Sequence, residues 1–81
     1  MRFWYVYLLQ SDADPARHYV GFTEDLKERL QRHNAGRVPH TSKYLPWHIH
    51  SATAFDDRER ALAFERYLKS PSGRAFARKR L

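Results

Sequence analysis

"HYVGFTEDLKERLQRHNAG", running from His18 to Gly36, switches from a β-rich run to a helical one within a few residues. With the arginine before it, the first part reads as a strand, "RHYVGF". Thr23 follows as a candidate N-cap, and Glu24 and Asp25 fall in the first turn, where the helix dipole favours negative charge. Leu26, Leu30 and His33 then share one face at helical spacing, and Gly36, with Asn34 as a second candidate, closes the helix. A strand feeding directly into an amphipathic helix needs a sheet partner for the one and an apolar surface for the other.

The residues upstream supply the partner. In "RFWYVYLL", Phe3, Tyr5, Tyr7 and Leu9 point one way and Trp4, Val6 and Leu8 the other, so both sides are apolar. That pattern predicts a central strand covered on both faces. "SDADPA" provides turn residues, which makes a hairpin the simplest link to "RHYVGF". Downstream, "RVPHTSKYLP" reads as a surface loop. "WHIHSATAF" alternates Trp47, Ile49, Ser51, Thr53 and Phe55 against His48, His50, Ala52 and Ala54, as a third strand would. Asp56 and Glu59 resemble a capping box opening "RERALAFERYLKS", which runs to Pro71. Ser70 and Pro71 can start a last short helix, although Gly73 weakens it. The expected fold is α+β, a small three-stranded antiparallel sheet flanked by helices in the order β-β-α-β-α-α, as a single domain over residues 1–81.

Composition narrows the chemistry. Eighty-one residues suffice for one small core. With no cysteine there is no disulfide framework, no thiolate zinc site and no cysteine nucleophile, and a cytoplasmic location is expected. The apolar run near the N-terminus is far too short for a membrane span. Fifteen Lys and Arg against nine Asp and Glu give a formal charge of +6, a field that favours polyanions without naming a reaction.

Glu65 breaks the local pattern. Ala61, Phe64 and Leu68 form an apolar stripe on the 3.6 period, and Glu65 lies within it. A carboxylate there must find a partner, neutralise or hold a cation. Its structural reading is a boundary residue whose head reaches solvent or an arginine such as Arg58 or Arg66. Arg29 and His33, four residues apart, flank the face of Leu26 and Leu30, where Arg29 can reach inward; alternatively "KERLQRH" is a solvated basic face in which Glu28 pairs with Arg32. Tyr5, Tyr7 and Tyr19 suit a core, yet a phenol can also move a proton when a cation stands nearby. Gly21 inside a strand suggests a close approach to the backbone. His48 and His50 read as a solvated or phosphate-facing strand edge, since neither thiolates nor a zinc-protease spacing accompany them.

In this order the signals resemble the GIY-YIG nuclease superfamily, in particular its small single-domain bacterial members. "YVYLL" stands at the first motif and "YVG" at the second, so Tyr7 and Tyr19 correspond to the motif tyrosines. Arg29 corresponds to the helix arginine, with His33 after it, and Glu65 to the metal-binding glutamate. Tyr5 replaces the glycine of the first motif and Val20 the isoleucine of the second. The resemblance, spanning Phe3 to Leu68, implies phosphodiester hydrolysis with one Mg2+ or Mn2+ ion on Glu65, a hard oxygen ligand suited to such ions. It also implies that Tyr19 activates water, that Tyr7 positions the nucleophile or shares the proton, and that Arg29 stabilises the phosphate. Gly21 would allow close approach, while Lys27, Arg32, Arg37 and Lys43, with the basic C-terminal residues, would neutralise phosphates.

Three readings follow from these features. The first is a metal-dependent endonuclease on nucleic acid, DNA ahead of RNA, in repair or strand processing, with a partner protein supplying target specificity. The second is a nucleic-acid-binding module that keeps the fold and cleaves little. The third is a basic scaffold that meets an acidic partner. No membrane association is expected.

Overall fold

The computed structural model describes residues 2–81; Met1, the first residue of the expected domain, lies outside them. Strands β1 (Trp4–Ser11), β2 (His18–Thr23) and β3 (Trp47–Phe55) form one antiparallel sheet in the order β2-β1-β3. Helices α1 (Leu26–Asn34), α2 (Arg58–Lys69) and α3 (Pro71–Arg80) flank it, with a single 3-10 turn at Ser42–Tyr44. The expected element order is observed. Among the described residues no helix is long and apolar enough to cross a membrane.

β1 is central and is buried from both sides, as its doubly apolar pattern requires. Its even positions meet α2 and α3: Val6 packs with Ala61 and Leu68, and Trp4, Phe64 and Phe76 surround them. Its odd positions meet α1: Tyr7, Leu9 and Trp47 pack with Leu26 and Leu30. The sheet is therefore a wall between an aromatic core and a second, more polar layer.

The alternation along β3 hides a change of face. Leu8 pairs with Ser51 but Leu9 pairs with Ile49, so His50 is an extra residue in the ladder. Odd-numbered side chains before the bulge share a face with Leu9, while odd-numbered ones after it share a face with Val6. Trp47 and Ile49 thus join the α1 layer and Phe55 the α2 layer, although all three are odd-numbered.

Two N-caps differ from the expected ones. Thr23 is still paired with Tyr5 in the sheet, so the helix begins later and Asp25 is the N-cap of α1, accepting from the Glu28 amide at 3.0 Å. Thr23 instead accepts from the Asp25 amide at 3.1 Å. At α2 the cap is Asp57, one residue beyond Asp56, whose carboxylate accepts from Glu59 and Arg60. At the other end of α1 the C-cap is Ala35 rather than Gly36 or Asn34, and Gly36, at φ 75°, takes the left-handed position that follows it. α3 forms despite Gly73, because a side chain there would overlap the Tyr67 carbonyl. Ser70 closes α2 and opens α3, donating to the Tyr67 carbonyl and accepting from the Gly73 amide.

The expected surface loop is anchored from within. Thr41 is fully buried, and Trp47 donates from its indole to the Thr41 carbonyl at 2.9 Å. The Asn34 side chain clasps both backbone groups of Trp47, which ties the end of α1 to the start of β3.

Candidate active site

The site is built on the odd face of the sheet, where β1, β2 and α1 meet. Tyr7 on β1 pairs with Gly21 on β2, and the phenol lies over the space that a side chain at Gly21 would fill. An ideal Cβ there would overlap the hydroxyl, and even Cε1 would stand at 2.8 Å. The expected close approach at Gly21 thus comes from Tyr7 itself. Tyr19, two residues earlier on the same strand, sets its ring 6.4 Å from that of Tyr7.

α1 brings His33 against both. Its ring is 4.9 Å from Tyr19 and 5.9 Å from Tyr7, edge-on in each case, and it is 1% exposed. His33 Nε2 lies 3.0 Å from the Tyr7 hydroxyl and Nδ1 lies 2.8 Å from Thr41 Oγ1. The proton positions follow from the outer end of this chain. Thr41 donates its hydroxyl proton to the Val38 carbonyl at 3.2 Å, so its oxygen accepts from Nδ1–H. Nε2 is then the free acceptor, and Tyr7 donates to it.

Electrostatics reinforce this assignment. Burial, followed by the charges of Arg29 and Arg32, holds His33 below its usual pKa of 6.5, so the ring is neutral at pH 7. Burial likewise pushes Tyr7 up to about 12, although Arg29 beside it pulls in the other direction. The Glu65 charge is among the weaker influences that raise it, so α2 brings that carboxylate within electrostatic reach of the phenol.

Arg29 is held without an ionic partner. Its single hydrogen bond runs to the Phe22 carbonyl at 3.4 Å, and no carboxylate pairs with it among the described residues. Its Nε is the one buried side-chain polar atom without a hydrogen-bond partner among them. Such an atom is costly unless a ligand completes it. Glu65 is 18% exposed in its side chain, and its partner is Lys69 at 3.3 Å rather than Arg58 or Arg66.

Tyr7, Tyr19, Arg29 and His33 therefore converge, while Glu65 stands on α2, paired with Lys69, and reaches Tyr7 only through its charge. Lys27, Arg32, Arg37 and Lys43 stand on exposed surface of α1 and the loop after it, and Arg32 is paired with Glu28 at 2.6 Å as its spacing implied. His48 and His50 separate: His48 bonds Asp12 at 2.7 Å, and the His50 ring meets His18. Sequence reasoning missed Thr41. A threonine in a proline-bearing loop carries no periodic signal, and only the tertiary contact with His33 reveals it.

The chain is similar to known proteins. The family described as "GIY-YIG catalytic domain" matches residues 3–80. A protein of Meyerozyma guilliermondii named "Structure-specific endonuclease subunit SLX1" is 40% identical over 76 residues, covering 85% of this chain and 25% of its own length. "UPF0213 protein SpyM50708" of Streptococcus pyogenes serotype M5 is 38% identical over 72 residues, covering 88% of this chain and 76% of its own. The chain thus spans about a quarter of the fungal relative and about three quarters of the streptococcal one.

Proposed function

The chain belongs to the GIY-YIG family, and from that premise we propose that it is an endonuclease hydrolysing phosphodiester bonds in nucleic acid, DNA ahead of RNA. The observation that carries this reading is the buried relay Thr41–His33–Tyr7 beside an arginine that lacks an ionic partner.

A phenol near 12 is a poor base unless its own proton has somewhere to go. Here Tyr7 can take a proton from the attacking water while passing its own to His33 Nε2. The water oxygen bonds to phosphorus, the bond to the leaving oxygen breaks, and that oxygen takes a proton from solvent. His33 then returns its extra proton to solvent. The relay makes Tyr7 the better base of the two tyrosines. Tyr19 packs against the His33 ring and walls the relay. Arg29 stabilises the charge gathering on the phosphate, and that same negative charge offsets the repulsion between Arg29 and a protonated His33.

One divalent ion fits beside these groups. Glu65 is a nearly enclosed carboxylate, and among the described residues no cluster of three or more His, Asp or Glu competes with it. Mg2+ and Mn2+ are commonly held by one or two carboxylates, with water and phosphate oxygens completing the shell. When bound, the ion supplies positive charge for the scissile phosphate and the leaving oxygen. A role in strand processing, with a partner that selects the target, accords with the words "structure-specific" and "subunit" in the fungal relative's name.

The test is cleavage of single-stranded, duplex, flap and junction substrates with Mg2+ or Mn2+. Tyr7→Phe and Glu65→Gln should each lower the rate on the order of 10²-fold or more, with binding retained. No cleavage of any substrate, with salt-sensitive binding intact, would leave a binding module instead.

A further inference from the structure

We propose that a second groove, on the far side of β2 from the relay, binds a single-stranded nucleic-acid arm that leaves the cleavage site. This rests on the nuclease reading and names the substrate class for it. The groove has a volume of about 1050 Å³ and runs between the His18 end of β2 and the C-terminal ends of α2 and α3. Leu8 and Leu68 contribute an apolar floor, cations rise from the walls, and no aspartate or glutamate side chain lines it among the described residues.

Three observations select the occupant. The first is charge. Arg74 and Arg78 stand one turn apart on α3, and neither pairs with a carboxylate among the described residues. Like charges at that spacing repel. The dipole favours Arg78 in the last turn but gives nothing to Arg74, so an anion between them relieves the repulsion.

The second is an aromatic pair. The β3 bulge carries His50, whose ring meets His18 across the sheet at 6.1 Å and at right angles. Both rings are exposed and line the groove. An exposed ring beside cations is the combination that holds single strands, since every base has a face to stack and every phosphate a charge to meet. A base-paired duplex offers no such face.

The third is continuity. Tyr19 borders this groove and also packs against His33, while Lys69 lines it and pairs with Glu65. A strand passing Glu65 therefore leads directly between the histidines and the α3 arginines.

Anisotropy in EDTA, where cleavage is silent, can compare a blunt duplex with the same duplex bearing an oligothymidylate arm. The arm should tighten binding about tenfold. His18→Ala with His50→Ala should bring the ratio of the two affinities toward one. Arg74→Gln with Arg78→Gln should reduce the salt slope of arm binding by about 1.4, or 0.7 for each phosphate released. NMR titration with oligothymidylate should shift His18 and His50. The proposal is overturned if the arm adds no affinity, if its gain survives both double variants, or if polyglutamate displaces it equally well, since the groove would then read charge alone. Loss of cleavage with arm binding intact would sink the nuclease reading and leave this site standing.

Discussion

His33 sits at the junction of stability and chemistry. In the unfolded chain it titrates near 6.5; in the fold, burial and the charges of Arg29 and Arg32 depress it. Below pH 6.5 the unfolded state therefore binds the additional proton, and stability falls as the pH drops until the folded pKa is passed. The slope can reach about 1.4 kcal/mol per pH unit, and urea denaturation of the wild type against His33→Gln should show it flattened in the variant. Matching slopes would mean that His33 is not the group responsible. Thr41 bears on the same ring. Thr41→Val removes the acceptor for Nδ1–H and leaves a buried donor unpaired, a loss of about 1–3 kcal/mol, whereas Thr41→Ser should keep both stability and cleavage. If valine and serine behave alike, the hydroxyl does not orient the ring.

At the scale of elements, the helices and strands were legible because each carries its own period. The odd and even residues of β1 announced a central strand, and Leu26 and Leu30 announced the inner face of α1. Two things were not. The caps moved by one or two residues because Thr23 belongs to the sheet and Asp57 occupies the extended position before α2. Asp57→Ala should cost about 1 kcal/mol in a thermal melt and Asp56→Ala almost nothing. The bulge was invisible because an extra residue in a ladder leaves the alternation of Trp47 to Phe55 intact and changes only the face each half serves. Deleting His50 makes Ile49 and Ser51 neighbours on opposite faces, so Trp47 and Ile49 should stay in the α1 layer and Phe55 in the α2 layer, with a melt within about 1 kcal/mol of wild type. His50→Ala, which keeps the register, should melt close to wild type. A deletion that cost as much as a lost core side chain, about 3–5 kcal/mol, would show that the bulge itself holds the two halves to their faces.

Across the whole molecule, the sheet divides labour between its faces. One side is almost wholly apolar, with Val6, Ala61 and Leu68 inside a ring of aromatics. The other carries a neutral histidine, a phenol pushed up to about 12 and an arginine with an orphaned Nε. Glu65 could be picked out from sequence because it is a charge in an apolar stripe, and Tyr7 and Arg29 because they stand where the resembling motifs have theirs; the meeting of Tyr7 with His33 could not, since it depends on Gly21 admitting the phenol and on α1 lying over it. A fold that places such groups together sacrifices stability at the site and recovers it on the opposite face. Arg29 tests this most directly. Methionine fills much of the volume of its stem without a buried charge or an unpaired donor, so Arg29→Met should raise stability by about 1 kcal/mol, or roughly 4–8 °C in a melt for a domain of this size. The same change should lower cleavage on the order of 10²-fold or more, because nothing else in the relay carries a permanent positive charge toward the phosphate. Should Arg29→Met melt below wild type, the guanidinium would be holding the Phe22 carbonyl and the helix in place, and its readiness for a phosphate would lose its main support.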